Sequence, residues 1–117
     1  MSQDLIANLE ALLAKGQDAP ALRFALASRY LAAGDAGAAL RHAEAAVALD
    51  SAYSAGWKVL GQARAAAGDA RGAAESYRRG IEVAAARGDR QAAKEMQVFL
   101  RRLERSAGSA PSGDGAA

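Results

Sequence analysis

The sequence predicts an all-α protein, a stack of helical hairpins with an N-terminal half-unit helix and a C-terminal capping helix. Three observations carry this. Apolar residues recur at helical spacing along nearly all of the 117 residues. Hydrophobic residues make up 51% and aromatics only 5%, so alanine supplies most of the apolar content. Alanine favours helix strongly and buries little area, which suits several closely packed helices better than one thick core. Finally, "LAAGDAGAAL" at 31–40 returns as "AAAGDARGAA" at 65–74, with Gly34-Asp35 and Gly68-Asp69 separated by 34 residues. Val, Ile and Thr are scarce and no stretch alternates apolar and polar residues, so sheet is not expected.

Each helix has its own periodic residues. Leu5, Leu9, Leu12 and Leu13 predict a helix over 3–15. Leu22, Leu26 and Tyr30 predict one over 19–33, with Pro20 in the first turn, where its missing N–H costs little. Leu40, Ala43 and Val47 mark 36–49, Trp57 and Leu60 mark 53–67, and Tyr77 and Ile81 mark 70–86. Met96, Phe99, Leu100 and Leu103 mark 90–105. Between them, Gly34 and Gly68 suit the left-handed conformation that closes a helix, and Asp35 and Asp69 suit the cap of the next. Residues 1–105 therefore form one domain, with hairpins at about 20–53 and 54–87 and a cap at about 90–105. The small, polar run "SAGSAPSGDGAA" at 106–117 reads as a disordered tail.

Fifteen basic and thirteen acidic residues are mixed along the chain, for a net charge of +2. Such a balance permits acidic partners but lacks the clustered basic patch with interleaved aromatics that marks nucleic-acid binding. Without cysteine there is no disulfide framework, thiolate zinc site or cysteine nucleophile, and a cytoplasmic location is the simpler expectation. "MSQDLIANLEALLAKG" has acids inside its apolar pattern and no basic n-region, unlike a signal peptide. No uncharged apolar stretch approaches the ~18 residues of a membrane span.

The repeat matches at more than the Gly-Asp pairs. At an offset of 34, Leu26 falls on Leu60, Ala27 on Gly61, Ala39 on Ala73 and Val47 on Ile81. Small residues at fixed places let two helix axes approach, while large ones a turn away fill the gap. In this pattern the chain resembles the tetratricopeptide repeat family, whose unit is a helix–turn–helix of this period. Trp57, Leu60-Gly61, Gly68-Asp69, Ala73 and Tyr77 stand where that family has Trp, Leu-Gly, Gly-Asp, Ala and an aromatic. The first copy keeps Leu26, Tyr30, Gly34-Asp35, Ala39 and Ala46 but has Arg23 at the Trp place and Ser51 where Pro is usual. In the second copy, Arg64 and Gly80 depart from the usual Tyr and Ala. The first helix resembles the second half of a unit. Helix 90–105 resembles an extra first half, shifted by two residues, with Ala93, Met96 and Leu100 at the places of Trp57, Leu60 and Arg64.

The catalytic inventory is thin, and an enzyme is not expected. His42 is the sole histidine and is read as an exposed or partly buried surface residue. It has no second histidine or cysteine to join it in a metal site or triad. "GDAGAAL" lacks the spacing of a phosphate loop. Trp57, Tyr77 and Phe99 are read as packing residues, and Arg78-Arg79 and Arg101-Arg102 as solvated faces. No cofactor or metal is expected.

What the resemblance implies is an interaction protein. In the family, the first helix of each unit lines a concave groove that receives extended peptides or helices of partner proteins. Carried over, the groove places are Phe24, Ser28 and Leu31, then Lys58, Gln62 and Ala65, then Lys94, Val98 and Arg101. The groove would be apolar at one end and basic at the other, suited to an acidic protein or peptide, with neither nucleic acid nor membrane as partner. Exposure of Phe24 and Leu31 together would itself call for a partner. Some members clamp a C-terminal carboxylate with Lys and Asn; those places here carry Phe24, Ser28, Val59, Gln91 and Glu95, so the clamp is absent. The alternative is self-association into a homo-oligomer, through Phe24 and Leu31 or through the N-terminal half-unit.

Overall fold

The computed structural model describes residues 2–108. Six helices follow one another: α1 Ser2–Ala14, α2 Pro20–Ala32, α3 Ala36–Leu49, α4 Ser54–Ala66, α5 Ala70–Ala86 and α6 Arg90–Gly108. Among the described residues there is no strand. The first five helices lie within a residue of their expected ends. α6 continues past the expected end at 105 to Gly108, so Ser106 belongs to a helix rather than to a tail. The rest of the expected tail, 109–117, lies outside the described residues.

The Gly-Asp pairs make their turns with very few atoms. At the end of α2 the Gly34 N–H donates to the Leu31 carbonyl (3.0 Å) and the Asp35 N–H to the Tyr30 carbonyl (2.9 Å). These are the paired bonds of a Schellman end, and they require the positive φ of +83° that Gly34 adopts. Asp35 then turns its carboxylate forward, where Oδ1 accepts from the Ala38 N–H at 3.0 Å and caps α3. One residue thus completes one helix and starts the next. Gly68-Asp69 repeats the device, with Asp69 Oδ1 capping α5 through Gly72 N–H at 2.9 Å. Gly88-Asp89 repeats it again at α6, through Ala92 N–H at 3.1 Å.

The helices form two layers. α2 packs on α4 and α4 on α6, each also packing on its sequence neighbours, while α3 and α5 do not touch. α2, α4 and α6 are therefore one layer and α1, α3 and α5 the other. Between them, Leu26 on α2, Leu60 on α4 and Met96 on α6 are at most 1% exposed. Burying such a side chain contributes about 1.5–3 kcal/mol. Alanine sets the spacing: Ala27, Ala39, Ala43, Ala46, Ala63 and Ala73 are fully buried.

The departures of the second hairpin are accommodated by neighbouring contacts. Arg64 donates to Ser76 Oγ (2.8 Å) and to the Gly72 carbonyl (3.2 Å), tying α4 to α5. The places occupied by Arg64 and Ser76 carry Tyr30 and His42 in the first hairpin, where the two rings stack with centroids 5.5 Å apart and planes 4° from parallel. The same two positions join the hairpin in both copies, by different chemistry. Gly80 leaves room for Met96 and Trp57, both of which a Cβ there would strike.

Candidate functional site

Leu26, Leu60 and Met96 are each at most 1% exposed, Leu60 in the cluster of Ala27, Ala43 and Val59 and Met96 in that of Ala73, Tyr77 and Ala84, and burial at these matching places sets α2, α4 and α6 in one rotational register. The residues two, two and five places from each buried anchor then share a side of the layer. Phe24, Ser28 and Leu31 are half-buried, as are Lys58 and Gln62. Ala65, Lys94, Val98 and Arg101 are exposed.

Phe24 and Leu31 are not an exposed apolar pair. Both pack on the cluster of Ala27, Ala43, Val59 and Leu60, and the Phe24 ring meets Tyr53 edge-on with centroids 6.1 Å apart. The reason is the close approach of α2 to α4, which small residues permit. Val98 is the large apolar side chain of this set that does stand out, at 40% exposure. The charge is also distributed differently. Lys58 Nζ lies 3.0 Å from Glu95 Oε1, linking α4 to α6, and this hydrogen bond holds the Glu95 carboxyl below the usual range. The cationic character therefore rests on Lys94 and Arg101 alone.

His42 departs most from expectation, being buried at 6% exposure rather than at the surface. α1 covers it. Its Nε2 lies 3.4 Å from Glu10 Oε2, and its Nδ1 lies 3.1 Å from an Arg23 guanidinium nitrogen. Arg23 can only donate, so Nδ1 is the acceptor and Nε2 carries the proton toward Glu10. The Tyr30 hydroxyl also donates to Glu10 Oε2, at 2.6 Å, and Arg23 is held at its other edge by both oxygens of Asp18, at 2.8 and 3.0 Å. Burial lowers the His42 pKa from its ordinary value, with Glu10 opposing and Arg23 reinforcing the shift. Both ring nitrogens are occupied by structural partners, so the histidine has no lone pair open to a substrate. This network joins the three consecutive helices α1, α2 and α3 through side chains that meet only when the helices pack, and Arg23 at the usual Trp place is its one visible sign in the sequence.

Trp57 is partly buried rather than central: it packs on the edge of the Ala27 and Leu60 cluster and donates its indole N–H to the Ser51 carbonyl at 2.8 Å. Arg79 lies over its ring, 5.9 Å from the centroid, and Arg78 pairs with Glu104 at 3.4 Å. Both arginines remain exposed, as expected of a solvated face. Tyr77, buried, and Phe99 stack at 5.5 Å, as packing residues should. Among the described residues no three of His, Cys, Asp and Glu cluster closely enough to hold a metal ion. Among the same residues, no helix is long and apolar enough to cross a membrane.

The chain is 53% identical over 102 residues to the TPR repeat-containing protein PA0015 of Pseudomonas aeruginosa, covering 87% of this chain and 97% of that protein. It belongs to the tetratricopeptide repeat family. No protein-family model matches the sequence. The fold is similar to the solution structure of protein BPP2914 from Bordetella parapertussis, with a TM-score of 0.78 and 41% identity, covering 93% of this chain and 95% of that one. It is also similar to the crystal structure of the Sgt2 TPR domain from Aspergillus fumigatus, with a TM-score of 0.70 and 28% identity, covering 95% and 82% of the two chains. Tetratricopeptide repeats are interaction modules, and this chain carries their all-α repeat architecture.

Proposed function

We propose that this tetratricopeptide repeat protein is an adaptor that binds a segment of a partner protein across the face formed by α2, α4 and α6. The common burial of Leu26, Leu60 and Met96 carries the reading, because it sets three neighbouring helices in one rotational register, with half-buried Lys58 and Gln62 and exposed Ala65, Lys94, Val98 and Arg101 at the matching places of α4 and α6. The occupied nitrogens of His42 supply no reason to prefer catalysis.

Affinity capture from a lysate of the source organism tests this with two variants of the full chain. Gln62→Trp puts bulk at the centre of the face, and Arg71→Glu changes an exposed residue of α5. A partner lost with Gln62→Trp and kept with Arg71→Glu supports the reading, provided circular dichroism shows both variants folded. A partner retained by both overturns it.

A second reading, self-association through α1, is favoured by Leu12, which stands 37% exposed beside half-buried Leu5 and Leu9. Sedimentation over a range of concentrations distinguishes the two. A monomer throughout removes self-association.

A further inference from the structure

Arg90, Lys94, Arg101 and Arg105 are all exposed, and at 3.6 residues per turn they lie within about 60° of one another around α6. They form a stripe about 22 Å long at 1.5 Å per residue. None of the four pairs with an acid among the described residues. The two acids within α6 are taken elsewhere: Glu95 by Lys58 on α4 and Glu104 by Arg78 on α5. A face serving only to keep the end of a stack in water would mix both signs. Here Arg90 and Lys94, and again Arg101 and Arg105, are like charges one turn apart, an arrangement that disfavours the helix by itself. The two acids within α6 are paired with other helices, and these four cations are left open.

We propose that the α6 stripe binds an acidic segment of a partner protein, with carboxylates spread along about 20 Å so that several stripe cations are engaged at once. The proposal rests on the partner-binding reading above, since Lys94 and Arg101 belong to both; Arg90 and Arg105 belong to the stripe alone. Protein carboxylates suit it better than nucleic-acid phosphates. Val98 and Gln97 are what lies between the cations, with no aromatic to stack on a base. A single half-exposed valine is also too little apolar surface for membrane insertion.

The test uses the full chain and a labelled alanine-based helical peptide with glutamates at i, i+4, i+7 and i+11, read by fluorescence anisotropy. A glutamine version of the peptide and a duplex DNA of equal charge serve as comparisons. Arg90→Glu with Arg105→Glu, and separately Lys94→Glu with Arg101→Glu, should each weaken glutamate-peptide binding roughly tenfold or more, since each reversal replaces an attraction by a repulsion. Binding should fall between ~0.01 and ~0.1 M salt, as the screening length drops from about 30 to 10 Å. Equal binding of the glutamine peptide overturns the proposal. Tighter, stripe-dependent binding of the duplex overturns it by assigning the cations to phosphate. If Arg90→Glu with Arg105→Glu leaves peptide affinity unchanged while Gln62→Trp still abolishes partner capture, the stripe falls and the inner-face reading stands.

Discussion

The ring of Tyr77 lies against the backbone of Gly61, so close that a Cβ on the glycine would fall 2.5 Å from Tyr77 Cε1. α4 and α5 meet at this contact, and Phe99 of α6 stacks on the same ring. Gly61→Ala gains up to about 1 kcal/mol of helix propensity and is nonetheless expected to destabilise, because overpacking a tight core costs about 1–3 kcal/mol. Urea denaturation measures the balance. A more stable alanine variant would show that the ring can retreat.

Met96 stands to α6 as Leu60 does to α4, both at most 1% exposed. Truncating either to alanine should cost about 2–5 kcal/mol. Equilibrium unfolding of Met96→Ala and Leu60→Ala compares them directly. A Met96→Ala loss of well under 1 kcal/mol would mean that α6 is loosely attached rather than a built part of the core.

The His42 site makes stability depend on pH in a defined direction. Its folded-state pKa is lowered, so the unfolded chain binds the proton more readily. The contribution is fully present above the ordinary value of about 6.5 and is lost as pH falls from there toward the lower folded value. One proton limits the slope to about 1.4 kcal/mol per pH unit. The groups facing the ring are Glu10 from α1, Arg23 and Tyr30 from α2, and Arg41 from α3 itself. Thermal melts between pH 5 and 8 should show the slope, and His42→Gln should flatten it. An unchanged slope in the variant would place the titration elsewhere.

Glu95 holds Lys58 at 3.0 Å while remaining 42% exposed. Such an exposed pair contributes only about 0.2–1 kcal/mol to stability. Glu95→Gln should therefore leave the unfolding midpoint nearly unchanged, yet bind the glutamate peptide more tightly, by roughly two- to fivefold, because it frees one cation and removes one anion. Anisotropy on the same peptide reads this. Weaker binding would show that Glu95 positions Lys58 for the partner rather than withholding it.

The local chain chemistry of this protein determined its helices, their order and their turns. Alanine and leucine periodicity sets where helices run, and Gly-Asp sets where they stop and restart, because the left-handed turn and the side-chain cap involve atoms only a few residues apart. The offset of 34 between Leu26 and Leu60 also made the hairpin stack readable, since each unit repeats the same interface. Even Met96 was placed correctly, two residues out of period. Electrostatic partnership was decided by the tertiary structure instead. Glu10 reaches His42 because α1 packs on α2, whose neighbour α3 carries the histidine, and Glu95 reaches Lys58 because α6 packs on α4. Side-chain charges interact through space, so their pairing depends on which helix surfaces meet. That is why His42 is buried, Lys58 paired, and Arg90, Lys94, Arg101 and Arg105 left open along one side of α6.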